Sequence, residues 1–567
     1  MKLIKSITAV TLAILLLFAV NYAYTNSDSS TSESSSIIDT VVFPHDEVID
    51  VNIEIDEDAY AEMNANAMAE EIVTANITYN GNTFNNVGIR PKGNSSLRDV
   101  FQSDSDRYSF KIDFNYYIDE QNFYGITKLN LNNLFSDPSM MAEYLGYEML
   151  DELDAVSSRT TYVNLSLNGE PFGLYLAVEQ VNEEYLLDNF DNDSGDLYKP
   201  EGVGANLAYI SDDGTDYTGL VPENAGEYDN EKIAELIKTI EDGGDLDSIL
   251  NVDSLLKYLA VSTMTVHLDS YQGGMFHNYY LYNNDGIFEW ISWDLNMIFN
   301  GFPGGSITDE EAAQFLIDEP VKGSMESYPL IEAIFENESY VEKYHEYLTT
   351  LSEGYLDADN LSAKVLSVYD MIKSYVKADP TSFYTYDEFE NGLFQEDGTQ
   401  YGILSFAEKR VENVAQQLSG EIPSTNNGEG NVGSSTVGGM KEQKATGDTQ
   451  QIPADGVTEQ ALPDDVTGQA LPDGATGRVP PDGVTGRVPP DGATGQAPPD
   501  DATGQALPDD ATGQALPDGV TGQVPTDDTA EDISTDSSTE MDSTDIIVLL
   551  VLTGILLAMG LYLKRKH

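Results

Sequence analysis

The chain has 567 residues, contains no cysteine and carries a formal net charge of −71 at pH 7. Its length allows one large domain or two smaller ones with appended segments. The lack of cysteine excludes disulfide frameworks, thiolate metal sites and cysteine nucleophiles. The acidity argues against nucleic acid as a partner, because its phosphates would be repelled, and favours basic protein segments, cationic peptides or metal ions. The same acidity is also typical of an extracellular protein that charge keeps soluble.

The N-terminus predicts an export signal over residues 1–23. Two lysines precede an apolar run at residues 7–20, and the small residue Ala23 follows it among polar neighbours. An uncleaved membrane anchor is the alternative. Residues 24–36 are rich in Ser, Thr and Asp, which predicts a disordered linker.

Residues 37–418 form the predicted globular domain, and its first half is predicted to be strand-rich. Runs with β-branched or aromatic alternation and Asn-Gly turns occur at residues 41–56, 69–93, 108–118, 127–133, 161–170 and 172–181. One helix interrupts them, with Asp137 as its predicted N-cap and Pro138 as its first residue. The second half is predicted to be mainly helical, with amphipathic runs at residues 230–240, 252–266, 328–335, 340–351 and 361–376. This order is that of a two-lobed kinase, although many α+β proteins share it.

Residues 419–543 predict a disordered, acidic stalk rich in Pro, Gly and Thr. It contains seven consecutive nonapeptides over residues 462–524, each with a Pro-Asp turn signal and almost no large apolar side chain. Such units cannot bury a core, so a stalk is predicted rather than a β-solenoid.

Residues 544–567 predict a transmembrane helix with a short basic tail. Residues 546–563 are apolar over a length close to that needed to cross a bilayer. Lys564, Arg565 and Lys566 follow at once, and positive charge marks the cytoplasmic side. The prediction is a single-pass protein whose domain lies on the extracellular face of the cell membrane and whose C-terminus is cytoplasmic.

Seven sequence blocks follow one another between Gly88 and Phe299: GIRPKGNSS, SFKIDF, KLNLNNLFSDPSMMAEYLGYEML, YVNLSLNGEPFGLYLAVEQV, DLYKP, LDSYQGGMFHNYYLY and WISWDLNMIF. In this order they resemble the blocks of the CotH (spore coat protein H) kinase-like family. The family is similar to the secretory-pathway protein kinases. The resemblance implies an α+β, atypical two-lobed protein-kinase-like fold, with a strand-rich N-lobe and a helical C-lobe. It also implies use of ATP with Mg²⁺ or Mn²⁺ to phosphorylate protein. One departure is Asn296, which replaces the second acid of the family's W-D-L-D block.

The residues offer the parts that phosphoryl transfer needs for nucleotide binding. The segment 93–96 follows a strand and offers backbone amides and the hydroxyls of Ser95 and Ser96 to phosphate. An ordinary turn after a strand is the alternative. Glu179 ends the apolar strand at residues 173–178, where an interlobe hinge would contact adenine mostly through backbone. Its alternative is a surface charge at a strand end.

A strand lysine is the predicted phosphate-binding cation. Lys111 lies in the alternating strand SFKIDF and is favoured, while Lys92 and Arg90 are competitors. In kinases a helical glutamate holds this lysine. The family block favours Glu143, whereas counting helical faces places Glu148 nearer the buried stripe.

The strongest local constellation consists of Asp269, Asn278 and Asp294. Asp269 ends a helix, as a catalytic aspartate that orients the substrate hydroxyl would. Asp294 follows a short apolar strand, where a metal ligand belongs, and Asn278 is the predicted second metal ligand. Mg²⁺ prefers few carboxylates plus phosphate oxygens, which this set provides. The alternative is that Asp269 caps the helix and Asp294 begins a turn.

The sequence therefore predicts a secreted, membrane-anchored protein kinase that transfers phosphate from ATP to Ser or Thr of a cell-envelope or spore-coat protein. A basic, Ser-rich protein is the expected substrate, because an acidic domain would attract it. The alternative is a surface-displayed kinase-like binding module or adhesin without activity, or a scaffold for coat assembly.

Overall fold

The structure is a computed structural model, and it describes residues 37–224, 228, 230–302, 307–396 and 400–431. All of these described residues belong to one compact unit. The predicted export signal, the linker at residues 24–36, the nonapeptide repeats and the C-terminal membrane helix lie outside the described residues. Within the described ranges, no helix combines the length and apolar character that a membrane span requires.

The first half of the domain folds into a closed barrel of seven strands in the order β1-β2-β3-β4-β5-β7-β6. The strands are β1 (Ile49–Ile55), β2 (Val73–Tyr79), β3 (Asn82–Lys92), β4 (Ser109–Asp113), β5 (Lys128–Asn132), β6 (Thr160–Leu167) and β7 (Glu170–Glu179). Neighbouring strands are antiparallel, except that β1 and β6 run parallel and close the barrel.

Two tight turns explain why the predicted hairpins form. Asn80 and Gly81 join β2 to β3 with φ angles of 45° and 75°, and Asn168 and Gly169 join β6 to β7 with φ angles of 51° and 81°. Both central residues of a type I′ turn need positive φ, which Asn and Gly adopt most readily. Alternate residues of each strand then fill the barrel interior with apolar side chains.

The second half is helix-rich and also contains a four-stranded sheet in the order β11-β10-β8-β9. Its strands are β8 (Asp196–Pro200), β9 (Leu220–Pro222), β10 (Tyr279–Asn284) and β11 (Ile287–Ser292). The α-helices of the described residues are α1 (Glu57–Ala65), α2 (Ser95–Phe101), α3 (Ala142–Glu152), α4 (Glu183–Phe190), α5 (Asn230–Glu241), α6 (Val252–Thr265), α7 (Asp309–Ala313), α8 (Pro329–Phe335), α9 (Glu338–Glu353), α10 (Ala358–Ala378), α11 (Tyr386–Phe394) and α12 (Ile403–Leu418). The predicted α+β class, with a strand-rich half followed by a helical half, is confirmed.

Two predicted element starts are wrong. The helix expected to begin at Pro138 begins at Ala142, because Met140 has a φ of 55° and interrupts the right-handed backbone. Asp137 still caps the first backbone amide of this helix, since its Oδ2 accepts a 2.9 Å hydrogen bond from the Ala142 amide. The apolar residues expected to open the first strand fold instead as a short helical turn, Ile38–Val42.

A buried ion pair joins the barrel to the segment after α10. The Nη1 atom of Arg107 lies 2.9 Å from Oδ2 of Asp379, and both side chains are at most 1% exposed. The same carboxylate accepts a 2.9 Å hydrogen bond from the Leu174 amide in β7. Arg107 also donates to the Asn133 carbonyl at 3.0 Å. The charges are therefore paired and hydrogen-bonded, as buried charges must be.

Candidate active site

The outer face of β3, β4 and β5 carries polar side chains, because the alternate residues of these strands fill the barrel. Phe110 and Ile112 are fully buried, while Lys111 between them faces outward and is half-buried. The register pairs Lys111 with Arg90 on one side and with Asn130 on the other. Arg90, Lys92, Lys111 and Lys128 thus lie on one surface, which we call the basic face and which also carries Asp113 opposite Lys128.

Lys92, at the end of β3, is connected to Glu143 of α3 through Asn132 of β5. The Lys92 Nζ donates to Asn132 Oδ1 at 2.8 Å, and Asn132 Nδ2 donates to the two Glu143 carboxylate oxygens at 3.1 and 2.8 Å. Burial lowers the pKa of Lys92, and the nearby acids Asp294 and Glu143 act in the opposite direction. Burial raises the pKa of Glu143, and the Asp294 charge raises it further. One cation is therefore shared by two acids.

Lys111 lies in a different electrostatic environment. Burial, together with the neighbouring cations Arg90 and Lys128, lowers the pKa of Lys111 to about 7, against the opposite effect of Glu223. Glu148, the alternative helical glutamate, is directed toward the helical half, where it accepts hydrogen bonds from Lys364 at 2.9 Å and from the Tyr355 hydroxyl at 2.6 Å. The structure thus brings Lys92 to Glu143 and leaves Lys111 with other partners.

Asp294 reaches the same place from the end of β11. It has a φ of 57°, a left-handed conformation uncommon outside glycine, which ends the strand direction sharply. Gly146 of α3 lets this segment approach closely, since a Cβ there would lie 3.0 Å from the Leu295 side chain. Burial raises the pKa of Asp294; Lys92 opposes this shift and Asp269 adds to it. Asp294 therefore interacts with the charges of both Lys92 and Asp269.

The loop over residues 269–278 orients Asp269. His277 Nε2 lies 2.9 Å from Asp269 Oδ1, and Asn278 Nδ2 donates to the Asp269 carbonyl at 2.7 Å and to Oδ2 at 3.2 Å. Burial acts to raise the pKa of Asp269, but the contacts with His277 and Asn278 outweigh it and the pKa lies below its usual value. The arrangement holds an ionised carboxylate in a fixed direction.

The remaining predicted nucleotide contacts lie at two other positions. Ser95 and Ser96 begin α2, directly after the end of β3 that carries Lys92. Glu179 ends β7, and its buried carboxylate pairs with Arg159 at 2.8 Å. Burial raises the pKa of Glu179 to about 6, against the effect of Arg159. The Glu179 amide also donates to the Arg159 carbonyl at 2.9 Å, so this glutamate is engaged within the barrel.

A family model described as CotH kinase protein matches residues 89–418, which include every residue of the proposed site. The chain belongs to this CotH family. It is 24% identical over 272 residues to inner spore coat protein H of Bacillus subtilis (strain 168), which covers 46% of this chain and 71% of that protein. It is 20% identical over 329 residues to invasin CotH2 of Rhizopus delemar, which covers 51% of this chain and 54% of that protein. The chain therefore spans about half the length of the invasin.

Three residues of this CotH-family site were not predicted from the sequence. Asn132 lies between Lys92 and Glu143, His277 contacts Asp269, and Lys199 of β8 lies close enough to affect the pKa values of Lys92 and Asp294. Each belongs to a block that carries the family resemblance. His277 directly precedes the predicted metal ligand Asn278, and this adjacency is the sequence feature from which its place in the site could have been predicted.

The described part of the CotH chain contains no cluster of three or more His, Asp or Glu side chains that would hold a metal alone. A metal that arrives with nucleotide needs less from protein, because Mg²⁺ is commonly held by one or two carboxylates plus phosphate oxygens. Asp294 supplies a half-buried carboxylate. Asn278 commits its Nδ2 to Asp269, so its Oδ1 is the atom available to a cation. The oxygen donors present fit Mg²⁺ or Mn²⁺.

Proposed function

We propose that this CotH-family protein transfers a phosphoryl group from ATP, with Mg²⁺ or Mn²⁺, to Ser or Thr of a protein substrate. The observation that carries the proposal is that Asp294 lies close enough to Lys92 of the basic face and to Asp269 for both charges to affect its pKa. The chain has 27 basic and 98 acidic residues, so several cations on one surface are unusual for it. A polyanion is the ligand that such a surface favours.

The energetics of the basic face support a phosphate ligand. Lys92 and Lys111 both have lowered pKa values because burial removes them from water. A bound anion would favour their charged forms and would raise both pKa values. A nucleoside triphosphate supplies that charge, and its binding would stabilise the folded protein.

Each residue of the site has a proposed role. Lys92, held through Asn132, contacts phosphate oxygens, and Asp294 and Asn278 hold the metal ion. The bound metal would neutralise charge on the phosphates. Asp269, oriented by its neighbours in the 269–278 loop, accepts the proton of the substrate hydroxyl.

Additional contacts with nucleotide are proposed at the ends of two barrel strands. The hydroxyls of Ser95 and Ser96 lie next to the Lys92 end of β3 and would donate to phosphate. The backbone beyond Glu179 leads from the barrel into α4 and would border the adenine. Both positions lie at the strand-rich lobe of the atypical two-lobed kinase-like fold that we propose for this α+β domain.

We also propose a location at the cell surface or in a coat, on the extracellular face of the membrane. The names of the relatives, a spore coat protein and an invasin, support a surface or coat location. The predicted export signal, stalk and C-terminal membrane helix support display outside the cell. A basic, Ser-rich envelope or coat protein remains the expected substrate, because the acidic chain would attract it.

The second candidate function is a binding module or adhesin without catalysis, or a scaffold for coat assembly. The invasin name of one relative supports it. The two functions share the fold and differ in whether phosphate is transferred.

Phosphate transfer from γ-labelled ATP to a Ser-rich basic peptide decides between them. Purified full-length protein should label the peptide, or itself, only when Mg²⁺ or Mn²⁺ is present. Asp269→Ala is the matched control and should lose labelling while it still binds ATP. Tight ATP binding by the wild type with no transfer to any protein, peptide or small acceptor would favour the adhesin or scaffold function.

A further inference from the structure

The chain continues past α12, the last helix of the described residues, and residues 424–431 of the segment predicted as a stalk fold back onto the domain. α12 ends at Leu418, where the family match also ends. Residues 424–431, which we call the C-terminal strap, lie against residues 316–325. The buried Glu319, only 5% exposed, accepts hydrogen bonds from the amides of Gly428 at 2.7 Å and Gly430 at 2.9 Å. A carboxylate that accepts two backbone amides forms charge-assisted bonds, which are among the stronger ones in proteins.

Asn431 and Gly430 make the strap specific for this position. Asn431 Oδ1 accepts from the Leu316 amide at 2.8 Å, and Asn431 Nδ2 donates to the Glu319 carbonyl at 2.8 Å. Gly430 has a φ of 59°, and a Cβ at this position would collide with the Gly323 carbonyl oxygen. Only glycine therefore allows the strap to lie this close.

The opposite side of residues 316–325 holds the loop that carries Asp269. Gln272, 1% exposed, donates from Nε2 to the Pro320 carbonyl at 2.6 Å. Its own carbonyl accepts from the Lys322 amide at 2.9 Å. Gln272 is three residues from Asp269, so the position of this loop depends on residues 320–322.

We propose that the C-terminal strap, through Glu319, positions the 269–278 loop for phosphoryl transfer, which makes Glu319 a positioning residue. This inference rests on the proposed function. Glu319 acts through the 320–322 backbone and Gln272 and does not touch the nucleotide. Lys92, on the barrel, is not part of this connection, so loosening the strap should lower turnover more than nucleotide affinity.

The test uses the full-length chain with Glu319→Gln and Gly430→Ala. Glu319→Gln keeps the side-chain shape and removes one charged acceptor, while Gly430→Ala displaces the strap without changing Glu319. Glu429→Gln is the matched control, because Glu429 is an exposed acid on the same strap. Hydrogen exchange and steady-state transfer kinetics are measured on all four proteins.

Both test variants should exchange amides about tenfold faster in residues 316–325 and in the 269–278 loop, since loss of one charge-assisted hydrogen bond corresponds to roughly that factor in an opening equilibrium. The kcat should fall while KM for ATP holds, and Glu429→Gln should match the wild type. Faster exchange confined to residues 424–431, with an unchanged 269–278 loop, would overturn the proposal. If the wild type transfers no phosphate, the proposed function fails, and the exchange of the 269–278 loop alone decides whether the strap positions it.

Discussion

Lys92→Met removes the cation that the structure places between two acids while keeping an unbranched side chain of similar length. The variant loses the 2.8 Å hydrogen bond from Nζ to Asn132 and the attraction to Glu143 and Asp294. Asn132 still contacts Glu143, so the framework of the site remains. The effect on a bound nucleotide should therefore come mainly from the missing positive charge.

The expected loss of ATP affinity follows from the proposed contact between Lys92 and phosphate, which the variant cannot make. A hydrogen bond that involves a charged group contributes about 1.5–3 kcal/mol, which corresponds to roughly 10- to 150-fold in affinity. The upper part of this range applies because Lys92 is half-buried and bulk water screens it less than an exposed lysine. ATP affinity measured with Mg²⁺ by isothermal titration calorimetry should fall by such a factor.

Lys111→Met and Lys128→Met are the matched comparisons, since both lysines lie on the same basic face. Each should weaken ATP binding less than Lys92→Met, because neither is connected to Glu143 through Asn132. If Lys111→Met abolishes binding while Lys92→Met leaves it intact, the choice of Lys92 is refuted and the expectation from the alternating strand is restored.

Three further outcomes are expected. Asp294→Ala should abolish metal-dependent ATP binding in titrations, because a metal ligand already acts in the ground-state complex. If ATP binding by this variant still depends on the metal, Asp294 is not a metal ligand. Asp379→Ala leaves the Arg107 charge buried without its partner and should lower the free energy of unfolding in urea by about 3–5 kcal/mol. A decrease in this free energy below about 1 kcal/mol, as expected for an exposed pair, would contradict the reasoning. Burial lowers the pKa of His267 to about 4, so the unfolded chain binds its proton more readily and stability falls as the pH drops from about 6.5 to 4. The stability of wild type relative to His267→Gln should decrease in that window by about 1.4 kcal/mol per pH unit, and a constant difference would count against it.

The parts of the fold that depend on neighbouring residues could be predicted from the sequence. The Asn-Gly turns at residues 80–81 and 168–169 give both hairpins, because the turn and its strands lie within one short segment. The parallel pairing of β1 with β6 could not be predicted, since it joins Ile49 to Val163 and nothing local specifies it. The helix start at Pro138 was wrong because the left-handed residue that displaces it, Met140, has no side-chain signal.

The site shows the same division between local and long-range information. The helix predicted to end at Asp269 ends at Thr265, so Asp269 lies in the loop beyond α6, whereas Asp294 follows β11 as predicted. The charges of Lys92 and Asp269 both affect the pKa of Asp294. The choice between Glu143 and Glu148 could not be made from helical periodicity, because α3 is buried on both sides and each glutamate has polar partners. Register and the location of Asn132 decide it, and both are properties of the assembled fold.

The charges of the site are unbalanced in two opposite ways, and this has a consequence for how ligands bind. Negative charge is in excess around Glu143, Asp294 and Asp269, so these acids favour a bound metal ion. Positive charge is in excess around Lys111, where Lys128 lowers its pKa, so the basic face favours a bound anion. Metal alone or nucleotide alone would satisfy one side and leave the other unchanged, whereas a metal–nucleotide complex satisfies both. The increase in melting temperature with Mg²⁺ and ATP together should therefore exceed the sum of the increases with each alone. Thermal melting under the four conditions measures this coupling, and additive shifts would show that the two groups of charges do not act on one ligand.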